Sequence, residues 1–201
     1  MTLISLRPKF SNLNPIILAS ASPRRQDILK QKQINFITAT HHFDEASIKS
    51  TDFKTPRLYV KHLAQQKAYC VLNTNNLWVL TADTIVSYQD TIFEKPKNLD
   101  DALSMLLYLQ NKTHQIFTAF CLFNKDLNKS YLRCCKSEIT FKDNSPTLVK
   151  DYIYTYKPLD KSGSYGIQEL PKDIKYTLKG SFKNVMGLPI TDVIRLIKYI
   201  Q

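Results

Sequence analysis

Short apolar runs alternate along this chain with stretches whose apolar residues recur every three or four positions, the two periods of strands and amphipathic helices. The first run, Ile16, Ile17, Leu18 and Ala19, reads as a short buried strand. It passes at once into a polar turn, Ser20, Ala21 and Ser22, followed by Pro23. Proline suits the first helical position, where a missing N–H costs nothing, and Ser22 stands where an N-cap belongs. A helix is therefore predicted over residues 23–33, starting at the end of a strand. A second strand is predicted over 35–40, running into a polar loop with His41, His42, Asp44 and Glu45.

Thr55 and Pro56 repeat the N-cap and first-turn pairing and open a helix to about residue 72, with Leu63, Ala64, Ala68 and Val71 on its apolar face. Residues 77–80 form a buried strand that ends in Thr81, Ala82, Asp83 and Thr84. A hairpin over 85–88 and 91–93 turns around Gln89 and Asp90 and delivers Glu94, Lys95 and Pro96. Asn98 or Asp100 caps a helix to residue 110 with Leu99, Ala102, Leu103, Leu106 and Leu109 as its core face. Two strands follow, about 114–123 and 131–141, then a helix over 146–156 and a strand near 176–178. The final helix, 190–200, carries Ile190, Val193, Ile194 and Ile197 at spacings of three and four. Early alternation of strands and helices followed by hairpin-like strands predicts an α/β fold, a mixed sheet with helices on its faces.

The whole chain, 201 residues with 43% hydrophobic content, suffices for one domain with a packed core. No apolar run approaches the roughly 20 residues of a membrane span. The first fifteen residues have neither a continuous apolar stretch nor a small-residue cleavage site, so no signal peptide is read. Cys70, Cys121, Cys134 and Cys135 form no C-x-x-C pair and have no histidine at metal spacing, which suits reduced thiols in a cytoplasmic protein. The formal charge of +11 favours an anionic partner. The basic residues are dispersed, without a run or an aromatic-basic motif, which argues against nucleic acid.

Three features carry candidate chemistry. The helix start after Ala19 combines unpaired backbone N–H groups and a partial positive charge with the Ser20 and Ser22 hydroxyls and the guanidinium groups of Arg24 and Arg25, an anion site in chemical terms. Asp83 interrupts an otherwise strand-like segment, where an acid is costly unless paired, hydrogen-bonded or metal-bound. All four glycines of the chain, Gly163, Gly166, Gly180 and Gly187, fall in one segment and mark positive φ or close backbone approach. The adjacent histidines, His41 and His42, diverge in direction and read as plain loop residues. Lys67 lies beside a buried stripe and, taken alone, reads as a lysine that keeps its head in water. Asp44 and Glu45 gain meaning only if the fold returns their loop to the Ser-Pro-Arg-Arg turn.

Taken together, these pieces resemble the Maf family of nucleoside triphosphate pyrophosphatases, in the family's order. They are Ser20 to Arg25, Asp44-Glu45, Lys67-Ala68, Ala82-Asp83-Thr84 with Lys95-Pro96, Asp160 to Gln168, Gly180-Ser181, and Val185 to Pro189. The resemblance implies an elongated mixed sheet with a cleft between two lobes, related to the inosine-triphosphatase type, usually in a homodimer. It also implies hydrolysis between the α- and β-phosphates of a nucleoside triphosphate with a divalent cation, Mg²⁺ or Mn²⁺. By position, Ser20, Ser22, Arg25, Lys67, Lys95 and Lys161 hold phosphate oxygens, Glu45 and Asp83 hold the metal, and Asp83 is the general base. Arg24, Thr84 and Gln168 are tied to the choice of base. Glu94-Lys95-Pro96 and Tyr165-Gly166-Ile167-Gln168 resemble the branch acting on dTTP and UTP rather than the one acting on 7-methyl-GTP. The alternatives are a non-catalytic, septum-regulatory nucleotide-binding protein and a pyrophosphatase of different base preference, acting on 7-methyl-GTP. The chain departs from the usual pattern at Ser162, where alanine is common, at Glu169, where glycine is common, and in lacking a glycine between residues 109 and 114.

Overall fold

The computed structural model describes residues 14–200, so most of the N-terminal stretch in which no signal peptide is read lies outside the described residues. The described chain forms one mixed sheet of seven strands with six α-helices. In chain order these are β1 (Ile16–Ala19), α1 (Pro23–Gln31), β2 (Phe36–Ala39), α2 (Pro56–Tyr69), β3 (Val79–Tyr88), β4 (Thr91–Phe93), α3 (Leu99–Tyr108), β5 (Thr113–Asn124), β6 (Lys129–Phe141), α4 (Pro146–Tyr156), β7 (Tyr176–Lys179), α5 (Phe182–Val185) and α6 (Ile190–Ile200). The expected α/β class is observed. The sheet order is β2-β1-β3-β5-β6-β7, with β4 also paired to β3. β1 runs parallel to β2 and β3, and the remaining pairs are antiparallel.

Two features differ from the sequence reading. The break expected at Asp83 is absent: β3 is a single ten-residue strand. Its backbone is held from Val79 to Ser87 by β5, and a ladder of backbone hydrogen bonds does not depend on the side chain at one position. The short helix α5 was not anticipated. Ser181 caps it by accepting from the Asn184 N–H at 3.2 Å, and it is too short for a helical period to show in sequence.

Side chains alternate along β3 and β5 and so sort the core onto two faces. Leu80, Ala82, Phe120 and Leu122 pack with α1 and α6, and further along the same face Val86 and Ile116 pack with α3 and α4. On the opposite face Ile85, Phe117 and Ala119 meet Tyr59, Val60, Leu63 and Ala64 of α2. The apolar stripe read on α2 is thus the one that is buried.

The registers leave a gap in the sheet. β1 pairs with Val79 and Leu80, and β4 begins pairing at Val86, both on the edge of β3 away from β5. Between them, residues 81–85 have a strand partner on one side only. The gap sits beyond the C-terminal end of β1, where open parallel sheets place their ligands.

Candidate active site

A cleft of about 330 Å³ opens at this gap. All eleven residues singled out from the sequence line it: Ser20, Ser22, Arg24, Arg25, Glu45, Lys67, Asp83, Thr84, Lys95, Lys161 and Gln168. They come from six separate stretches of chain, so only the fold brings them together.

The turn after β1 forms one wall. Ser22 occupies the N-cap position of α1, yet its hydroxyl makes no capping bond, contrary to the expected cap. Its backbone N–H instead donates to Ser20 Oγ at 3.3 Å. Arg25 spans the wall: Nε donates to the Gly187 carbonyl at 2.8 Å, Nη1 to Ser20 Oγ at 3.0 Å and Nη2 to Thr84 Oγ1 at 3.4 Å. Burial pulls its pKa below the ordinary arginine value, against the opposing charge of Asp83. Three of its five N–H groups serve the protein, and two are free for a ligand.

At the centre stands Lys67, which the sequence alone placed with its head in water. It is 6% exposed. Its ammonium donates to Asp83 Oδ1 and lies 2.9 Å from Glu45 Oε2. The placement follows from a fastening one turn earlier, where the buried Thr81 hydroxyl donates to the Ala64 carbonyl at 2.5 Å. Advancing two residues on the strand and three on the helix keeps both side chains on facing surfaces, so Asp83 meets Lys67. Burial by itself raises the Glu45 pKa, but Lys67 and then Lys95 outweigh it and the net shift is downward.

The loop carrying Asp44 and Glu45 does return to the turn, but it delivers only one carboxylate. Asp44 faces away, with Oδ1 accepting the Ala46 N–H at 3.1 Å as the cap of a short turn. His41, read from sequence as a plain loop residue, lines the cleft with Nε2 4.0 Å from Glu45 Oε1. Burial first, and then the Lys67 charge, lower its pKa. No periodicity pointed to His41; its place follows from where the loop folds.

The glycine segment supplies the far wall. Arg24 Nη1 reaches Asp160 Oδ2 at 3.1 Å, and Lys161 Nζ lies 2.7 Å from Asp160 Oδ1 and 3.1 Å from Glu169 Oε2. Gln168 donates from Nε2 to Glu169 Oε1 at 3.0 Å. Gly163, Gly180 and Gly187 have positive φ, and a Cβ on Gly166 would stand 2.8 Å from Glu169 Oε2, so both expected roles of glycine occur.

The donor chemistry suits a hard divalent cation. Glu45 and Asp83 bring oxygen donors to the one Lys67 ammonium, and no cluster of three or more histidine, cysteine or acidic residues that could hold a metal ion occurs among the described residues. Mg²⁺ in particular is commonly held by one or two carboxylates together with substrate phosphates and water.

A family model described as Maf-like protein matches residues 15–200. Among curated relatives, the dTTP/UTP pyrophosphatase of Thermosipho melanesiensis is 40% identical over 178 residues, covering 89% of this chain and 93% of the relative. The dTTP/UTP pyrophosphatase of Clostridium perfringens (strain 13 / Type A) is 38% identical over 187 residues, 91% of this chain and 95% of the relative. The protein of the same name from Bacillus cereus (strain ATCC 10987 / NRS 248) is 35% identical over 199 residues, 98% of this chain and 96% of the relative.

Proposed function

The chain belongs to the Maf family, and from that premise we propose that it is a nucleoside triphosphate pyrophosphatase that hydrolyses dTTP and UTP to the monophosphate and pyrophosphate. The observation that carries this reading is the buried Lys67 ammonium shared by Asp83 and Glu45, opposite a serine- and arginine-lined helix start in one cleft. The names of the relatives support the substrate pair.

A triphosphate brings about four negative charges, so catalysis at its α-phosphorus is a matter of positioning and charge stabilisation. The turn of Ser20 and Ser22, the free N–H groups of Arg25, and Lys95 and Lys161 receive phosphate oxygens. Lys67 has three donors, two of them on carboxylates, which leaves one for phosphate. Each charge-assisted hydrogen bond contributes roughly 1.5–3 kcal/mol.

Asp83 Oδ1 is engaged by Lys67, so the second carboxylate oxygen is the acceptor for the proton of the attacking water. The water oxygen bonds to the α-phosphorus, the bond from that phosphorus to the bridging oxygen breaks, and pyrophosphate departs. Glu45 and Asp83 would hold Mg²⁺ or Mn²⁺, which supplies charge neutralisation on the phosphates. Arg24, Thr84 and Gln168 face the base. The family resemblance extends the reading to a homodimer of one-domain subunits, and four free thiols suit a reducing cytoplasm.

The test is a panel of dTTP, UTP, CTP, 7-methyl-GTP and ITP with Mg²⁺ or Mn²⁺, scored for pyrophosphate against orthophosphate, beside Asp83→Asn. Pyrophosphate from dTTP and UTP is expected, with the rate falling about 10²–10⁴-fold in the variant. Tight triphosphate binding without turnover transfers the reading to a regulatory nucleotide-binding protein. Preferred turnover of 7-methyl-GTP overturns the assigned bases.

A further inference from the structure

A second cavity, of about 650 Å³, adjoins the cleft on the face of the sheet that carries α2. That volume lies inside the roughly 300–1,000 Å³ range of small-molecule sites. The two cavities share Glu45, Asp83, Thr84, Lys95 and Ser162 in their linings, so they meet at the proposed catalytic carboxylate. Triphosphate hydrolysis leaves the second one without a role.

Its own residues differ in kind from those of the cleft. The cleft holds five cationic side chains, Arg24, Arg25, Lys67, Lys95 and Lys161, against the three carboxylates Glu45, Asp83 and Asp160. Apart from the shared residues, the second cavity has one charge of each sign, Lys49 and Glu94, over an aliphatic floor of Leu63, Ile85 and Ile92. A terminal phosphate, with about two negative charges, finds no surplus of cations there to replace the water it gives up. An uncharged polar group does not meet that cost.

Two polar groups of this cavity lack partners. Tyr59 is 8% exposed and its ring packs on Phe53 at 5.4 Å, yet its hydroxyl has no hydrogen-bond partner among the described residues. A buried phenol ordinarily finds one. The Glu94 carboxylate likewise has neither an ion pair nor a hydrogen bond among the described residues. Its backbone is nonetheless fixed. The Ser162 hydroxyl accepts the Val86 N–H at 2.9 Å and donates to the Phe93 carbonyl, and the Glu94 carbonyl accepts the Gly163 N–H at 3.4 Å. Ser162, a position at which the chain departs from the usual family pattern, thus ties the end of β4 to the glycine segment and holds Glu94 at the cavity.

We propose that this cavity is a sugar subsite, and that the protein also hydrolyses nucleoside diphosphates joined through the β-phosphate to a sugar, releasing the nucleoside monophosphate and a sugar phosphate. A sugar is an uncharged ring whose hydroxyls both donate and accept. The Glu94 carboxylate accepts from one hydroxyl and the Tyr59 phenol pairs with another, while the ring lies on the aliphatic floor. With the base against Gln168 and the α-phosphorus at Asp83, the group beyond the β-phosphate passes Lys95, which lines both cavities, into this space. The bonds are those of the triphosphate reaction. The water oxygen bonds to the α-phosphorus and its proton goes to Asp83, the bond from that phosphorus to the bridging oxygen breaks, and this oxygen leaves with its electron pair on the sugar phosphate. The inference rests on the reading of the cleft as a pyrophosphatase site and extends it to a second class of substrate.

The experiment incubates the full chain and Mg²⁺ with UDP-glucose, UDP or UTP and follows the products by phosphorus NMR, beside Tyr59→Phe and Glu94→Ala. UDP-glucose should give UMP and glucose 1-phosphate, with kcat/KM about tenfold above that for UDP, which lacks the sugar. For UDP-glucose, kcat/KM should fall about threefold to tenfold in Tyr59→Phe and about tenfold or more in Glu94→Ala, the worth of one neutral and one charged hydrogen bond. UTP turnover should stay at its original level in both variants, a split that a purely structural role would not produce.

No UMP from UDP-glucose, UMP formed no faster from it than from UDP, or a UDP-glucose:UTP ratio unchanged in both variants overturns the proposal. Should Tyr59→Phe fail to fold, the variant at the exposed Glu94 decides. The UTP arm on the unmodified chain tests the underlying reading separately: no UMP from UTP overturns that reading, whatever happens to UDP-glucose.

Discussion

Among single residues, Lys67 shows how strongly a fold can redirect a side chain. Its burial between two carboxylates is tolerable because each charge has a partner, whereas removing one member leaves like charges facing each other. Lys67→Met is expected to lower kcat/KM about 10²–10³-fold, the cost typical of deleting one preorganised donor. It also removes the cation that depresses the Glu45 pKa. A carboxylate whose folded pKa is depressed contributes stability above its unfolded value and loses that contribution as pH falls through the folded value. The melting-temperature difference between Lys67→Met and the unmodified chain should therefore be largest at neutral pH and shrink in acid. A melting series from pH 7 to pH 3 checks this. Asp44 and Glu45 make the complementary point, since adjacent acids of similar sequence standing have unrelated roles once one caps a turn and the other meets Lys67.

At the scale of elements, the site is a property of strand register. β3 is long enough to pair with β1 at its start and β4 at its end, and the unpaired interval between them becomes the cleft. Two walls are stitched by Arg25, which ties the start of α1 to the loop before α6 through the Gly187 carbonyl. Gly187 has φ +103°, and a Cβ there would lie 3.3 Å from Thr84 Oγ1 and 3.5 Å from Arg25 Nε. Gly187→Ala is thus strained in its backbone and crowds the brace. It should destabilise by about 1–2 kcal/mol and raise KM by a larger factor than it lowers kcat. Chemical denaturation and steady-state kinetics on the same preparation measure both effects.

For the molecule as a whole, acid sensitivity has an identifiable source away from the cleft. His114 is 0% exposed, stacks on Phe141, and lies with Nε2 2.7 Å from the Tyr165 hydroxyl. Burial lowers its pKa from 6.5 to about 4, so the unfolded chain takes up a proton there that the folded chain refuses. The unfolded state then binds more protons between those two values, and stability must fall as pH drops through that window. A loss of about 3 kcal/mol is expected from this group between pH 6.5 and pH 4. In His114→Phe the stability should be flatter across the same window, as followed by denaturant unfolding at each pH.

Much of this architecture was legible in the chain itself because it rests on local physics. The apolar runs specify strands, the serine-proline and threonine-proline pairs open α1 and α2, and the three-and-four spacing of Ile190, Val193 and Ile197 becomes the buried face of α6. The polar groups of the cleft were also readable as types, since serines, arginines and an acid at a helix start or in a strand are costly without a role. The unbroken β3, the buried Lys67 and the cleft-lining His41 depended on partners distant in sequence, and α5 was too short for a period to show. Side-chain period carries no information about which backbone pairs across a sheet, or which ammonium lies between which carboxylates. The sequence alone therefore determined the elements and the chemical inventory. Only the tertiary structure decided which of those groups meet, and with what hydrogen-bond polarity, because long-range strand register and burial are set by the assembled core.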